Sequence, residues 1–157
     1  MSPRRRPADA VQRAQRSAQE RDGVISRREL RALGISRFGV RDQVRAGRWK
    51  THGRQTVSTH TGQLSELARR WRAIYEVGHR IAALDGVTAL EAAGLVQLDD
   101  SDIQVSIPHG SRPLPVPGVQ VHQVRRRPLS HLLTNGIPRV RPEVAAVRAA
   151  YWAGSDR

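Results

Sequence analysis

Val24-Ile25-Ser26-Arg27-Arg28-Glu29-Leu30-Arg31-Ala32-Leu33-Gly34-Ile35-Ser36 contains two helix starts. Ser26 stands as an N-cap with Glu29 three residues on, the spacing at which each side chain satisfies a backbone N–H that the first helical turn leaves orphaned. Ile25 before the cap and Leu30 after it flank the start as a hydrophobic staple. Gly34 supplies a left-handed stop, Ile35 turns towards the core, and Ser36 caps a second helix running to Ala46 and ended by Gly47. Two capped helices so close together leave room only for a sharp turn. At about 100° per residue, Val40 and Val44 share the buried face of the second helix, Arg41 and Arg45 lie on the opposite side, and Arg37 flanks them. Residues 48–52 and 56–60 are then β-prone, joined by Gly53-Arg54-Gln55 as a hairpin loop with a cation at its tip. A helix, a turn, an Arg-studded helix and a hairpin, in that order, predict a winged helix-turn-helix.

Upstream, Val11, Ala14 and Ala18 fall on one face, which predicts a first helix from Asp9 to about Gln19, stopped near Asp22-Gly23. Residues 1–8, with Arg4-Arg5-Arg6, read as a basic flexible arm, and 9–60 as the winged domain. Charge follows this division. Residues 1–60 hold 15 Lys+Arg against 5 Asp+Glu, whereas residues 61–157 hold 12 against 9. The chain carries +13 overall, and 26 of its 27 cations are arginine. A GC-rich coding sequence explains arginine over lysine but not the asymmetry, which points to a polyanionic partner. There is no cysteine, so a disulfide scaffold and a thiolate zinc site are excluded. No run approaches the roughly 18 apolar residues of a membrane span. No apolar stretch follows the basic start as in a secretory signal. These features fit a cytoplasmic protein.

Residues 61–157 read as a small α+β domain. Leu64, Leu67, Ala68, Trp71, Ile74 and Tyr75 recur at helical spacing up to Gly78, a stripe expected to be core. Asp85 caps a two-turn helix that Gly94 ends. Ile103, Val105 and Ile107 alternate with polar residues, as do Val119 and Val121, giving two half-buried strands around a proline-rich loop at 108–117. Asn135-Gly136 marks a hairpin, with Pro138 expected to hold its second strand at a sheet edge. Pro142 opens a last helix on which Val144, Val147 and Tyr151 share a face.

Asp22-Gly23-Val24-Ile25-Ser26, Leu33-Gly34-Ile35-Ser36 and Gly47-Arg48-Trp49, followed by Thr88-Ala89-Leu90, Ala93-Gly94-Leu95, Ile107-Pro108, Gly118-Val119-Gln120-Val121-His122 and Gly136-Ile137-Pro138, run through nearly the whole chain. Together they resemble the AbiEi-like antitoxins of actinobacterial type IV toxin-antitoxin systems. That resemblance implies a regulator that binds its own promoter through the winged domain and counters a nucleotidyltransferase toxin through the second. Relatives often carry a further domain resembling very-short-patch-repair endonucleases, which is not expected within these 157 residues. At the wing the chain departs from the family pattern, with Arg54-Gln55-Thr56-Val57-Ser58 in place of an Arg-Gly-Val-Tyr-like strand.

Enzymatic readings find few side chains to carry them. The sole lysine, Lys50, has no carboxylate near it in sequence, so a metal-dependent nuclease cluster is not assembled around it. Asp99, Asp100 and Asp102 read as a solvated turn, and the six histidines show no pair at helical metal spacing. No phosphate-binding glycine loop or nucleophile elbow occurs. The expectation is therefore a non-enzymatic, sequence-specific regulator without metal or cofactor, whose partners are double-stranded DNA and a nucleotidyltransferase-like toxin. Its candidate DNA-binding residues are Ser36, Arg37, Arg41, Arg45, Arg48, Lys50 and Arg54. The alternative is a protein-interaction module or a remnant of a longer endonuclease-like protein.

Overall fold

A computed structural model describes residues 7–96 and 102–155. Arg4-Arg5-Arg6 of the expected arm, and Asp99 and Asp100 of the acidic turn, lie outside the described residues. The fold is α+β, with six α-helices and two β-sheets among the described residues. It divides into two compact units, Met1–Glu76 and Val77–Arg157.

The first unit runs α1 (Pro7–Gln19), β1 (Val24–Ser26), α2 (Arg27–Ala32), α3 (Arg37–Arg45), β2 (Lys50–Thr51), β3 (Thr56–Ser58) and α4 (Glu66–Val77), the last crossing the boundary by one residue. Both helix starts form as their caps dictate. Ser26 Oγ accepts from Glu29 N at 3.2 Å, and Ser26 N donates back to a Glu29 carboxylate oxygen at 3.1 Å. Arg21 adds an ion pair to Glu29 at 2.7 Å. Burial alone would raise the Glu29 pKa, but the Ser26 side-chain and backbone hydrogen bonds and the Arg21 charge together hold it below its ordinary value. Gly34 and Gly47 end α2 and α3 at φ +86° and +68°, where a side chain would be strained. The core gathers Ala10, Ala14 and Ala18 of α1, Ile25, Leu30, Ile35, Val40, Trp49 and Val57, with Val44 packed against it.

In the first unit and at its boundary, three features depart from the sequence expectation. Val24–Ser26, which also supplies the N-cap, is a strand, and it pairs antiparallel with β3 in a three-stranded sheet of order β1-β3-β2. The hairpin strands are shorter than expected, because only Lys50↔Ser58 and Thr51↔Val57 are in register. The compact units also divide at Glu76, not at residue 60. The cause is the helix at 66–77, whose Ala68 and Tyr75 form a small core with Val24, flanked by Leu64 and Trp71. The Trp71–Tyr75 stripe is thus packed, as expected, but against β1. Their ring centroids are 5.6 Å apart, with the Arg21 guanidinium 5.0 Å above Trp71.

The second unit has β4 (Ala83–Leu84), α5 (Gly86–Ala92), β5 (Ile103–Pro108), β6 (Val119–Val124), β7 (Leu132–Leu133), β8 (Arg139–Val140) and α6 (Pro142–Ser155), with sheet order β6-β5-β4-β8-β7. Asp85 caps α5 by accepting from Gly86 N at 2.7 Å, and its fully buried carboxylate pairs with Arg148 of α6. Gly86 is required, since a Cβ there would lie 2.2 Å from Gln104 Oε1 and 2.7 Å from the Trp152 ring. β7 and β8 pair as the Asn135-Gly136 signal predicts. Pro138, however, does not make β8 an edge, because β8 lies between β4 and β7. The proline precedes the strand, and its carbonyl accepts from Leu84 N at 2.9 Å, so its missing N–H costs the ladder nothing. Val147 and Tyr151 are 71% and 74% exposed while Val144 is half-buried, so most of the apolar face expected of α6 is turned outward. Ala145 and Arg148 face inward instead, and the buried Asp85 carboxylate explains why an arginine belongs there.

Candidate nucleic-acid interface

All seven candidate residues lie in the first unit, and the structure sorts them into four groups. The first is α3. Its Val40 is buried in the core while Arg37, Arg41 and Arg45 are exposed. Between the arginines stands Phe38, half exposed, with the Arg37 guanidinium 4.8 Å and the Arg41 guanidinium 5.0 Å from its ring centroid. Cation–π contact fixes two flexible side chains above one aromatic platform. Phe38 was not among the expected residues. Its signal was present nonetheless, since the chain's single Phe falls two positions before Val40, off the helix face that packs.

Ser36 and Arg37 belong also to the second group. Ser36 Oγ accepts from Gly39 N at 3.3 Å, so its side chain is spent on the cap. Beside it a cavity of about 350 Å³ is lined by Arg27, Arg31, Ile35, Ser36, Arg37 and Val40. Three guanidinium-bearing residues therefore surround the N-terminal end of α3, whose unpaired backbone N–H groups already favour an anion. Arg27 and Arg31 fall outside the sequence-derived set because on a six-residue helix they read as ordinary solvated charge.

Arg48 forms the third group. Its Nε donates to Gln43 Oε1 at 2.8 Å, and its backbone N donates to the Gln43 carbonyl at 3.1 Å, so Gln43 closes the C-terminal turn of α3. Arg48 and Gln43 line one wall of an open cavity shared with α1.

The hairpin carries Lys50 and Arg54. Arg54 sits at the tip, and the tip is held from α4: Glu76 accepts from Arg54 N at 2.9 Å, Gln55 N at 2.8 Å, Thr56 N at 2.9 Å and Thr56 Oγ1 at 2.7 Å. One carboxylate thus satisfies four donors of a tight loop. Gly53 is needed for this approach, because a Cβ there would lie 2.5 Å from the Glu76 carboxyl carbon. Glu76 lies more than twenty residues from Arg54 and Gln55, a partnership with no local sequence signal. On the other strand Lys50 is exposed, next to His52, whose ring bonds Ser58 Oγ at 2.8 Å and whose carbonyl accepts from Arg72 Nε at 2.7 Å.

Elsewhere, no group of three or more His, Asp or Glu among the described residues is placed to hold a metal ion. No helix among them is long and apolar enough to cross a membrane. No protein-family model matches the chain, and no match was found among curated proteins.

Proposed function

We propose that residues 7–76 are a winged helix-turn-helix that binds duplex DNA, with α3 entering the major groove and the β2–β3 hairpin acting as the wing. The observation that carries this reading is α3 itself, with Val40 in the core and Arg37, Phe38, Arg41 and Arg45 outside. Arg41 and Arg45 are assigned to base edges. Arg37 joins Arg27, Arg31 and Arg48 on the phosphates around the two ends of α3, and Arg54 goes to a neighbouring minor groove. The reading is non-catalytic. With the resemblance to AbiEi-like antitoxins, it becomes an autorepressor whose second unit engages a nucleotidyltransferase toxin. The exposed Val147 and Tyr151 on α6 favour a protein partner for that unit.

Binding to duplex DNA across a salt series tests the DNA reading. With about five cations on phosphates, log affinity falls against log salt with a slope of roughly −4 to −5. A slope near zero, or no binding at low salt, overturns it and leaves the interaction-module alternative.

A further inference from the structure

Isolated apolar side chains at a protein surface are ordinary, but the place of Phe38 is not. It is the one exposed large hydrophobic side chain among the described residues of the first unit, and it stands within the face of α3 that the DNA reading assigns to the groove. We propose that Phe38 is a specificity residue that contacts the C5-methyl group of a thymine, an assignment that rests on the proposed binding of duplex DNA. At about 100° per residue, Phe38 lies within roughly 60° of both Arg41 and Arg45, so the three side chains project together. The guanidiniums of Arg37 and Arg41 lie over its ring, 4.8 Å and 5.0 Å from the centroid, which leaves the apolar rim to meet a partner. In the major groove the base edges offer hydrogen-bond donors and acceptors and one apolar group, the thymine methyl. Against any other edge the ring would strip water from polar atoms without replacing their hydrogen bonds. Asp42, exposed on the same face, agrees with this. A carboxylate is repelled by phosphates but accepts from the amino group of cytosine, so the face suits base edges rather than the backbone. Side chains at i and i+3 of a helix stand roughly 5–6 Å apart, and bases along a strand about 3.4 Å, so the thymine is expected one or two steps from the base pair that Arg41 reads.

For the test, the full chain first selects its preferred site from a pool of random duplexes. Each thymine of that site is then replaced singly by deoxyuridine, which removes the methyl group and nothing else. Affinities are measured for the full chain, Phe38→Ala and Phe38→Leu, with an unchanged melting temperature as the control for folding. Loss of the methyl at one position is expected to weaken binding by the full chain about three- to tenfold. Phe38→Ala is expected to bind thymine and deoxyuridine equally at that position, with its salt slope unchanged because no cation has been removed. Phe38→Leu keeps an apolar side chain but gives the guanidiniums no ring, and it is expected to retain most of the discrimination. Together these results support the contact. Discrimination in Phe38→Ala equal to that of the full chain, or no position at which the methyl matters, overturns it and leaves the DNA reading in place. Loss of discrimination in Phe38→Leu as complete as in Phe38→Ala also overturns it, since the ring then acts through its arginines alone. So does a selection that gives no preferred site, or a site without thymine. Absence of binding to any duplex at low salt overturns the DNA reading and this assignment together.

Discussion

At the scale of single residues, the pairing of Phe38 with Arg37 and Arg41 changes what a truncation on α3 removes. A guanidinium stacked on an aromatic ring loses less freedom on reaching a base than one swinging in solvent. Arg41→Ala is therefore expected to weaken binding to the preferred site by roughly ten- to a hundredfold and to flatten preference at one base pair. A titration against single-base variants of a selected site checks this, and unchanged affinity with unchanged preference places the reader on another face. Glu29 gives a pH prediction whose sign follows from its environment. Its folded pKa lies below the ordinary value of 4.5, so its contribution to stability is complete above that value and disappears as the pH falls below it. The melting-temperature gap between the chain and Glu29→Gln should accordingly be constant near neutrality and close in acid. A gap independent of pH would mean that Glu29 acts through packing. The Ser26–Glu29 box was legible because all its partners lie within three residues, and Arg37, Arg41 and Arg45 because helical periodicity alone sets them apart from Val40. Phe38 was not legible as part of the exposed face, because an apolar side chain carries the same signal in a core as on a surface.

Elements show where local reading ends. Helices α1, α2 and α3 formed where caps and glycines mark them, since those signals act within one turn. Strand β1 was not legible, because three residues give no measurable alternation and its place is set by pairing with Val57 and its neighbours, far along the chain. The hairpin was recognised but not its support. Glu76 holds the tip by accepting four hydrogen bonds on one carboxylate, so the hairpin's shape depends on α4. Glu76→Ala leaves Arg54 N, Gln55 N and Thr56 N without their acceptor and is expected to cost roughly 1.5–3 kcal/mol of stability in the first unit. Glu76→Gln is the sharper probe. Its amide oxygen keeps the three bonds that Glu76 Oε1 accepts, but its NH₂ meets the Arg54 N–H donor to donor. Faster amide exchange confined to Arg54 in Glu76→Gln, against Arg54, Gln55 and Thr56 together in Glu76→Ala, is the expected pattern. Uniform protection in both variants would show that the loop keeps its form without the carboxylate.

For the whole molecule, the boundary between the units decides which fragment carries the activity. A boundary at residue 60 follows from the sequence because Thr61-Gly62 is a turn signal and the next helix opens a new apolar stripe. Periodicity cannot say what a stripe packs against, and here it packs on Val24. With α4 counted in, residues 1–76 hold 18 Lys+Arg against 7 Asp+Glu, and residues 77–157 hold 9 against 7. Arg69 and Arg72 thereby join the basic unit. Three fragments separate the two divisions. Residues 1–76 are expected to melt cooperatively and to bind DNA with most of the affinity of the full chain, and residues 77–157 to fold without binding. Residues 1–60 keep α1, α2, α3 and the hairpin but expose Val24 and leave the hairpin tip without its acceptor, so they should melt at a lower temperature and bind less well than 1–76. The comparison is made by thermal denaturation and one DNA titration at fixed salt, because affinities taken at different salt would be dominated by counterion release. Equal stability and affinity for 1–60 and 1–76 would make α4 a passive connector. DNA affinity carried by 77–157 would reverse the roles of the two units.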